Sequence, residues 1–161
     1  MITIQLSQGQ QTIVDDESFD KISEHHWYAD FDKKLRKYYV KSETKRKGTR
    51  NKLKLHRFLM DAKEGEVVDH LNGDTLDNRL CNLRRCTVAQ NAMNRSLNKN
   101  NTSGYKGVVW HTQALKYQAR ISVNSRWKSL GMYSDKKVAA LAYNEAAKLY
   151  YGEFAKLNVI E

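Results

Sequence analysis

Residues 3–16, TIQLSQGQQTIVDD, alternate apolar and polar side chains on either side of Gln8-Gly9, the period-two pattern of a short hairpin. In DESFDKISEHHWYAD, Phe19, Ile22, His26 and Trp27 recur at near-helical spacing and predict a short helix. YYVKSETKRKGTRNKLKLHRFLM, from Tyr38, predicts two strands joined by a basic loop holding Gly48. VVDH, residues 67–70, ends another strand. LNGDTLDNRL is too rich in Gly, Asn and Asp for helix or strand, LRRCT returns as a strand, and VAQNAMNRS starts a helix at a Thr87 cap. SLNKNNTSG, 96–104, holds one apolar residue in nine and reads as a connector between domains.

Beyond it, YKGVVWHT, KYQARISV and RWKSLGMY predict three strands, with a tight turn at Asn124-Ser125. SDKKVAALAYNEAAKLYYG predicts a helix capped by Ser134 or Asp135 and closed by Gly152, with Val138, Leu141, Ala142, Ala146 and Leu149 on one face. A three-stranded antiparallel sheet covered by one helix leaves its other face for water or a partner. The expected class is α+β. The expected divisions are a strand-rich segment over 1–57, a compact strand–loop–strand–helix unit over 58–95, a linker over 96–103 and a sheet-and-helix domain over 104–161.

Charge sharpens this picture. The 161 residues carry a net charge of +10, and 40% are hydrophobic, so the cores must be small. Residues 33–57 hold twelve basic side chains and one acid, and residues 95–161 are also basic, whereas 58–94 are slightly acidic. Two basic blocks around an acidic one suit a polyanion with a cation between them, although a solvated basic surface has the same composition. Cys81 and Cys86 are too few for a disulfide scaffold or a four-ligand zinc site and read as reduced thiols. The first residues lack the basic and apolar regions of a signal peptide, and no apolar run reaches membrane length. A soluble, membrane-free protein of the cytoplasm of a bacterial or phage-infected cell is expected.

The chemistry concentrates in VVDHLNGDTLDNRLCNLRRCTVAQNAMNR, Val67 to Arg95. Asp69 and His70 stand at the end of a strand, where successive side chains point to opposite sides. Hydrolysis of a phosphodiester by one metal needs a base for the attacking water and a hard cation for the phosphate and leaving oxygen. Mg²⁺ keeps several waters, so one carboxylate and one amide oxygen suffice to hold it. Asn91 and Asn94 are the helix residues able to turn an amide inward.

VDHLNGDTLDNRLCNLR…QNAMNR resembles the HNH endonuclease family, specifically the phage and intron homing type with a ββα-metal fold. The resemblance implies that His70 is the general base and that Asp69 and Asn91 bind the divalent ion. It also implies that Asn82 pins the loop and orients the histidine. His56 and Arg57 match an HR pair that often precedes the motif and would support the site or contact a phosphate. Mg²⁺ is the expected ion, with Mn²⁺ able to replace it.

Residues 103–158 resemble the Apetala/ethylene-response-factor DNA-binding domain through YKGV, KYQARI, SLGMY, AALAYNEAA and YGEFAKLN. That family lays its bare sheet face in the major groove. Matched by position, Lys106, His111, Arg120, Ser122, Trp127 and Ser129 would face DNA, with Arg126 and Lys128 near the backbone. Alternation along KYQARISV also turns Gln118 outward, and Lys116 lies at a strand end where phosphates flank the groove. The two resemblances together imply a free-standing homing endonuclease: an enzyme cutting double-stranded DNA, targeted by its C-terminal module, with a monomer as the expected state. A DNA-binding regulator without catalysis is the main rival, and the Asp69-His70 pair discriminates against it, since a pure regulator has no need for that pair. An RNA-binding protein suits the charge but no motif.

Overall fold

The computed structural model describes residues 1–46, 49–98 and 100–160. Lys47 and Gly48 of the expected basic loop, and Lys99 of the expected connector, lie outside the described residues. The chain is an α+β protein of two compact units, Met1–Asn91 and Ala92–Glu161.

The first unit opens with the expected hairpin, β1 (Ile2–Gln5) against β2 (Gln11–Val14), with Ile2 opposite Val14. Gln8 and Gly9 turn the chain at φ 60° and 66°. The short helix α1 (Phe19–Ser23) follows, and the Trp27 indole N–H donates to the Ile22 carbonyl at 2.9 Å. β3 (Tyr28–Asp32), β4 (Lys37–Arg46) and β5 (Thr49–Lys54) form an antiparallel sheet in that order. β3 was not expected, because aspartate is poor in strands. Here Asp30 meets Lys41 of β4 at 2.5 Å, so pairing with a basic neighbour offsets the propensity.

Leu55–Leu59, read from the sequence as part of a strand, is instead the short helix α2. Its buried residues Leu55, His56 and Leu59 have helical spacing, but five residues are too few to show a period. β6 (Val67–His70) and β7 (Leu83–Cys86) pair antiparallel, and α3 (Val88–Met93) follows. Thr87 caps α3 as expected: its hydroxyl accepts from Gln90 N at 3.2 Å while Gln90 returns a bond to Thr87 N at 2.8 Å, a reciprocal box. One core, from Val14, Ile22, Trp27, Val40, Leu55 and Leu59 to Val68 and Leu83, runs through both 1–57 and 58–91. The strand-rich segment and the strand–loop–strand unit are therefore packed as one body.

In the second unit β8 (Val108–His111), β9 (Lys116–Val123) and β10 (Arg126–Tyr133) form an antiparallel sheet with β9 central. Asn124 and Ser125 turn with φ 50° and 62°. α4 (Lys136–Tyr151) is capped by Asp135, which accepts from Lys137 N at 2.5 Å. The buried face of α4 is a correction to the sequence reading. Ala139, Ala140, Tyr143, Asn144 and Ala147 face the sheet, while Val138, Leu141 and Leu149 are 48%, 52% and 77% exposed. Alanines let the helix lie close to the strands, and Tyr143 fills the space over Gly107.

Asn101 to Ser103, expected in the linker, belong to this unit. The Asn101 amide donates to Tyr105 O at 2.8 Å and Ser103 Oγ to Val108 O at 2.8 Å. A polar stretch looked like a connector because its side chains tie backbone rather than fill a core. Near the far end, Asn158 clasps two elements. Its backbone N–H donates to Asn144 Oδ1 at 2.8 Å, and its Oδ1 accepts from Lys106 N at 2.6 Å.

Candidate functional site

β6 ends on Asp69 and His70, both buried, and the chain returns in β7 with Arg84 opposite Asp69 and Leu83 opposite His70. Asparagines shape the loop between them. Asn72 Oδ1 accepts from Asp74 N at 2.8 Å, and its amide donates to Asp77 Oδ2 at 3.0 Å. Asn82 closes the loop: its amide donates to Asp77 O at 2.8 Å, and its Oδ1 accepts from Asn72 N at 3.0 Å. A carboxamide offers donor and acceptor on a short stem, so it can stand in for the ladder this loop lacks. Asn82→Ala would orphan the buried Asp77 carbonyl, worth about 1–3 kcal/mol, and release the part-buried Asn72 N–H. A loss of about 2–4 kcal/mol in urea unfolding is expected, with Asn82→Asp, which keeps the acceptor, falling between. Wild-type stability in the alanine variant would show that the loop holds itself.

The N-terminal strands brace the same loop. Ile13 and Asp77 form a parallel bridge, Thr12 Oγ1 donates to Leu76 O at 2.6 Å, and Lys37 Nζ donates to Gly73 O at 2.6 Å. Asn78, which the sequence reading missed, is fully buried; its amide donates to Thr12 Oγ1 at 2.9 Å. Its Oδ1 lies 3.3 Å from His70 Nε2. A carboxamide oxygen only accepts, so Nε2 is the protonated nitrogen and Nδ1 keeps its lone pair. The histidine bond assigned to Asn82 from resemblance thus has a contributor in Asn78. Its partner Thr12 is too distant in sequence for spacing to reveal it.

His56 packs its ring edge-on to His70, with centroids 4.9 Å apart, and Tyr39 lies 5.9 Å beyond His56. Burial drives the His56 pKa down to about 3, helped by His70, Lys54 and Arg57. Burial also lowers the His70 pKa, against the opposing pull of Asn78, Asp69 and Asp74. Both rings are held neutral near pH 7. Since His56 takes its proton more readily unfolded than folded, its contribution to stability is intact above pH about 6.5 and lost as pH falls toward about 3. His56→Phe should therefore remove about 1.4 kcal/mol per pH unit of slope below that point. Urea unfolding of both proteins between pH 7 and 4.5 reads it, and a difference independent of pH would refute it. Arg57 braces the approach to β6 by donating to the carbonyls of Lys63, at 2.8 Å, and Glu66.

In the second unit, alternation and register put His111, Lys116, Gln118, Arg120, Ser122, Trp127 and Ser129 on the sheet face away from α4. The Arg120 guanidinium lies over the Trp127 ring at 4.7 Å, and Trp127 is 65% exposed. Lys128 and Arg126 fall on the other side, opposite Ile121 and Val123, and the Lys128 ammonium sits 4.8 Å over the Tyr150 ring of α4. Lys106 precedes β8 and donates through Nζ to Met93 O; burial, with Lys156 and Arg95 nearby, lowers its pKa to about 8.

Residues 61–93 match the HNH endonuclease family. They run from the end of α2 through α3 and contain Asp69, His70 and the asparagine loop. Over 95 residues the chain is 28% identical to protein 3.8 of Escherichia phage T7, covering 59% of this chain and 78% of that protein. Over 116 residues it is 33% identical to an uncharacterized HNH endonuclease of Acanthamoeba polyphaga mimivirus, covering 68% of this chain and 59% of the relative. No solved structure matches significantly. The family match and the relative's name point to a nuclease, and no described helix is long and apolar enough to cross a membrane.

HNH nucleases generally depend on a divalent metal. Among the described residues no three His, Cys, Asp or Glu side chains cluster to hold one. The HNH region offers oxygen donors instead. Asp69 is a buried carboxylate with Arg84 3.1 Å from its Oδ2, and that chemistry fits a hard ion that keeps most of its waters. Asn91 is half-buried on α3, and Asn94 is buried in the second unit, past the point where α3 leaves the first.

Proposed function

We propose that the chain is a metal-dependent endonuclease of double-stranded DNA, directed to its target by the second unit. The observation that carries this reading is the buried Asp69-His70 pair, with His70 held through Nε2 by Asn78, inside the region matching HNH endonucleases. His70 acts as the general base through Nδ1. Asp69 and the Asn91 amide hold the divalent ion, Mg²⁺ or Mn²⁺, which supplies charge stabilisation at the phosphate. Asn82 and Asn78 keep the loop and the imidazole in place, and His56 and Arg57 support them from α2.

Arg120, Gln118, Ser122, His111, Lys116 and Trp127 present the reading surface. Arginine fits the guanine edge and glutamine the adenine edge in the major groove. Lys106, Arg126 and Lys128 lie off that face and serve phosphate or packing instead. Supercoiled plasmid incubated with the full chain, with Mg²⁺ and with chelator, tests the reading. Metal-dependent nicked or linear product is expected. Intact plasmid that is nonetheless bound would favour a regulator without catalysis.

A further inference from the structure

β4 and β5 carry a charge arrangement that the fold itself does not favour. Their register sets Lys41 directly opposite Lys54, and continues with Glu43 opposite Lys52. Like charges facing each other across strands destabilise a sheet. The opposite face of β4 is occupied by buried Val40 and Ser42, so Lys37, Tyr39, Lys41, Lys52 and Lys54 share the outer face. Three acids lie among them on the paired strands, Asp30 beside Lys41, Asp32 opposite Lys37 and Glu43 opposite Lys52. Lys54 is crowded: burial, then Lys41 and Arg57, make its charge harder to keep. Such a cluster is relieved by a polyanion.

The cluster is also continuous with the candidate base. The Lys54 ammonium lies 5.3 Å over the Tyr39 ring, Tyr39 is 5.9 Å from His56, and His56 is 4.9 Å from His70. Lys37, on the same strand, reaches the loop after His70 at Gly73. Same-face residues of a strand recur about every 6.8 Å, the rise of about two nucleotides of B-form DNA. An extended strand therefore spaces its same-face cations widely enough to meet more than one phosphate.

We propose that the outer face of β4–β5 is a track for the phosphodiester backbone of duplex DNA, centred on Lys52 and Lys54 and leading past Tyr39 to His70. This rests on the endonuclease reading for its purpose, but its test does not. Binding of the full chain to a short duplex, with chelator present so that nothing is cut, is measured from low to moderate salt. Lys52→Gln with Lys54→Gln should lower the slope of log Kd against log salt by about two, and weaken binding about ten- to a hundredfold near 0.1 M salt. Glu43→Gln should tighten binding, since it removes an anion from the track. Lys63→Gln with Lys148→Gln removes the same charge from other exposed surface and should keep the wild-type slope. An unchanged slope in the first pair, or an equal fall in the second, overturns the track. Intact plasmid in Mg²⁺ alongside the expected binding results would remove the nuclease reading and leave the track standing.

Discussion

His70→Ala is expected to slow single-turnover cleavage of plasmid by about 10²–10⁴-fold, the usual contribution of a positioned general base. Affinity for uncut DNA should stay close to wild type, because proton abstraction follows binding and the ring is only 4% exposed. The argument depends on Nδ1. With Nε2 donating to Asn78, Nδ1 carries the lone pair that takes the proton, and burial keeps the ring neutral. A urea midpoint measured on the same preparation separates lost chemistry from lost folding, since the ring also packs on His56. Wild-type turnover in a folded variant would sink the assignment of His70.

Gly107→Ala should be the most damaging single methyl group in the second unit. A Cβ there would stand 2.0 Å from Tyr143 Cδ2 and 2.8 Å from the Arg120 carbonyl, at a φ of +74°. The left-handed backbone costs a non-glycine residue roughly 1–2 kcal/mol, and overpacking about 1–3 more. Tyr143 cannot swing aside, being 2% exposed beneath the sheet. A unit of this size holds only about 4–10 kcal/mol of stability, so most or all of it is at risk. Denaturant unfolding followed by tryptophan fluorescence should show the signal of Trp110 and Trp127 lost at much lower denaturant, with that of Trp27 unmoved. Site-selective binding should disappear while weak, untargeted cleavage persists. Unchanged unfolding would mean that the strands near Gly107 shift without penalty.

The sequence made the regular parts legible and hid those that depend on distant partners. Alternation in KYQARISV gave the two faces of β9, with Ala119 and Ile121 buried, and the Thr87–Gln90 box marked the start of α3. α4 misled because it is apolar on more than one side: bulky Val138, Leu141 and Leu149 outweighed the alanines that pack. β3 was hidden by its aspartates, whose basic partner sits on the next strand. At the candidate site, Asp69 and His70 stand out at a strand end, and Asn82 through the HNH resemblance. Asn78 does not, since only the arrival of Thr12 shows that its amide is aimed and held.

The Asn158 clasp has a consequence for how the second unit can travel. By fastening residue 158 to Lys106, and through Asn144 to the middle of α4, it brings the chain entering β8 and the chain leaving the unit side by side. A module whose ends emerge together can be spliced into a surface loop of an unrelated host without prying that host apart. The same hydrogen bonds that finish the fold thus hold its entry and its exit together.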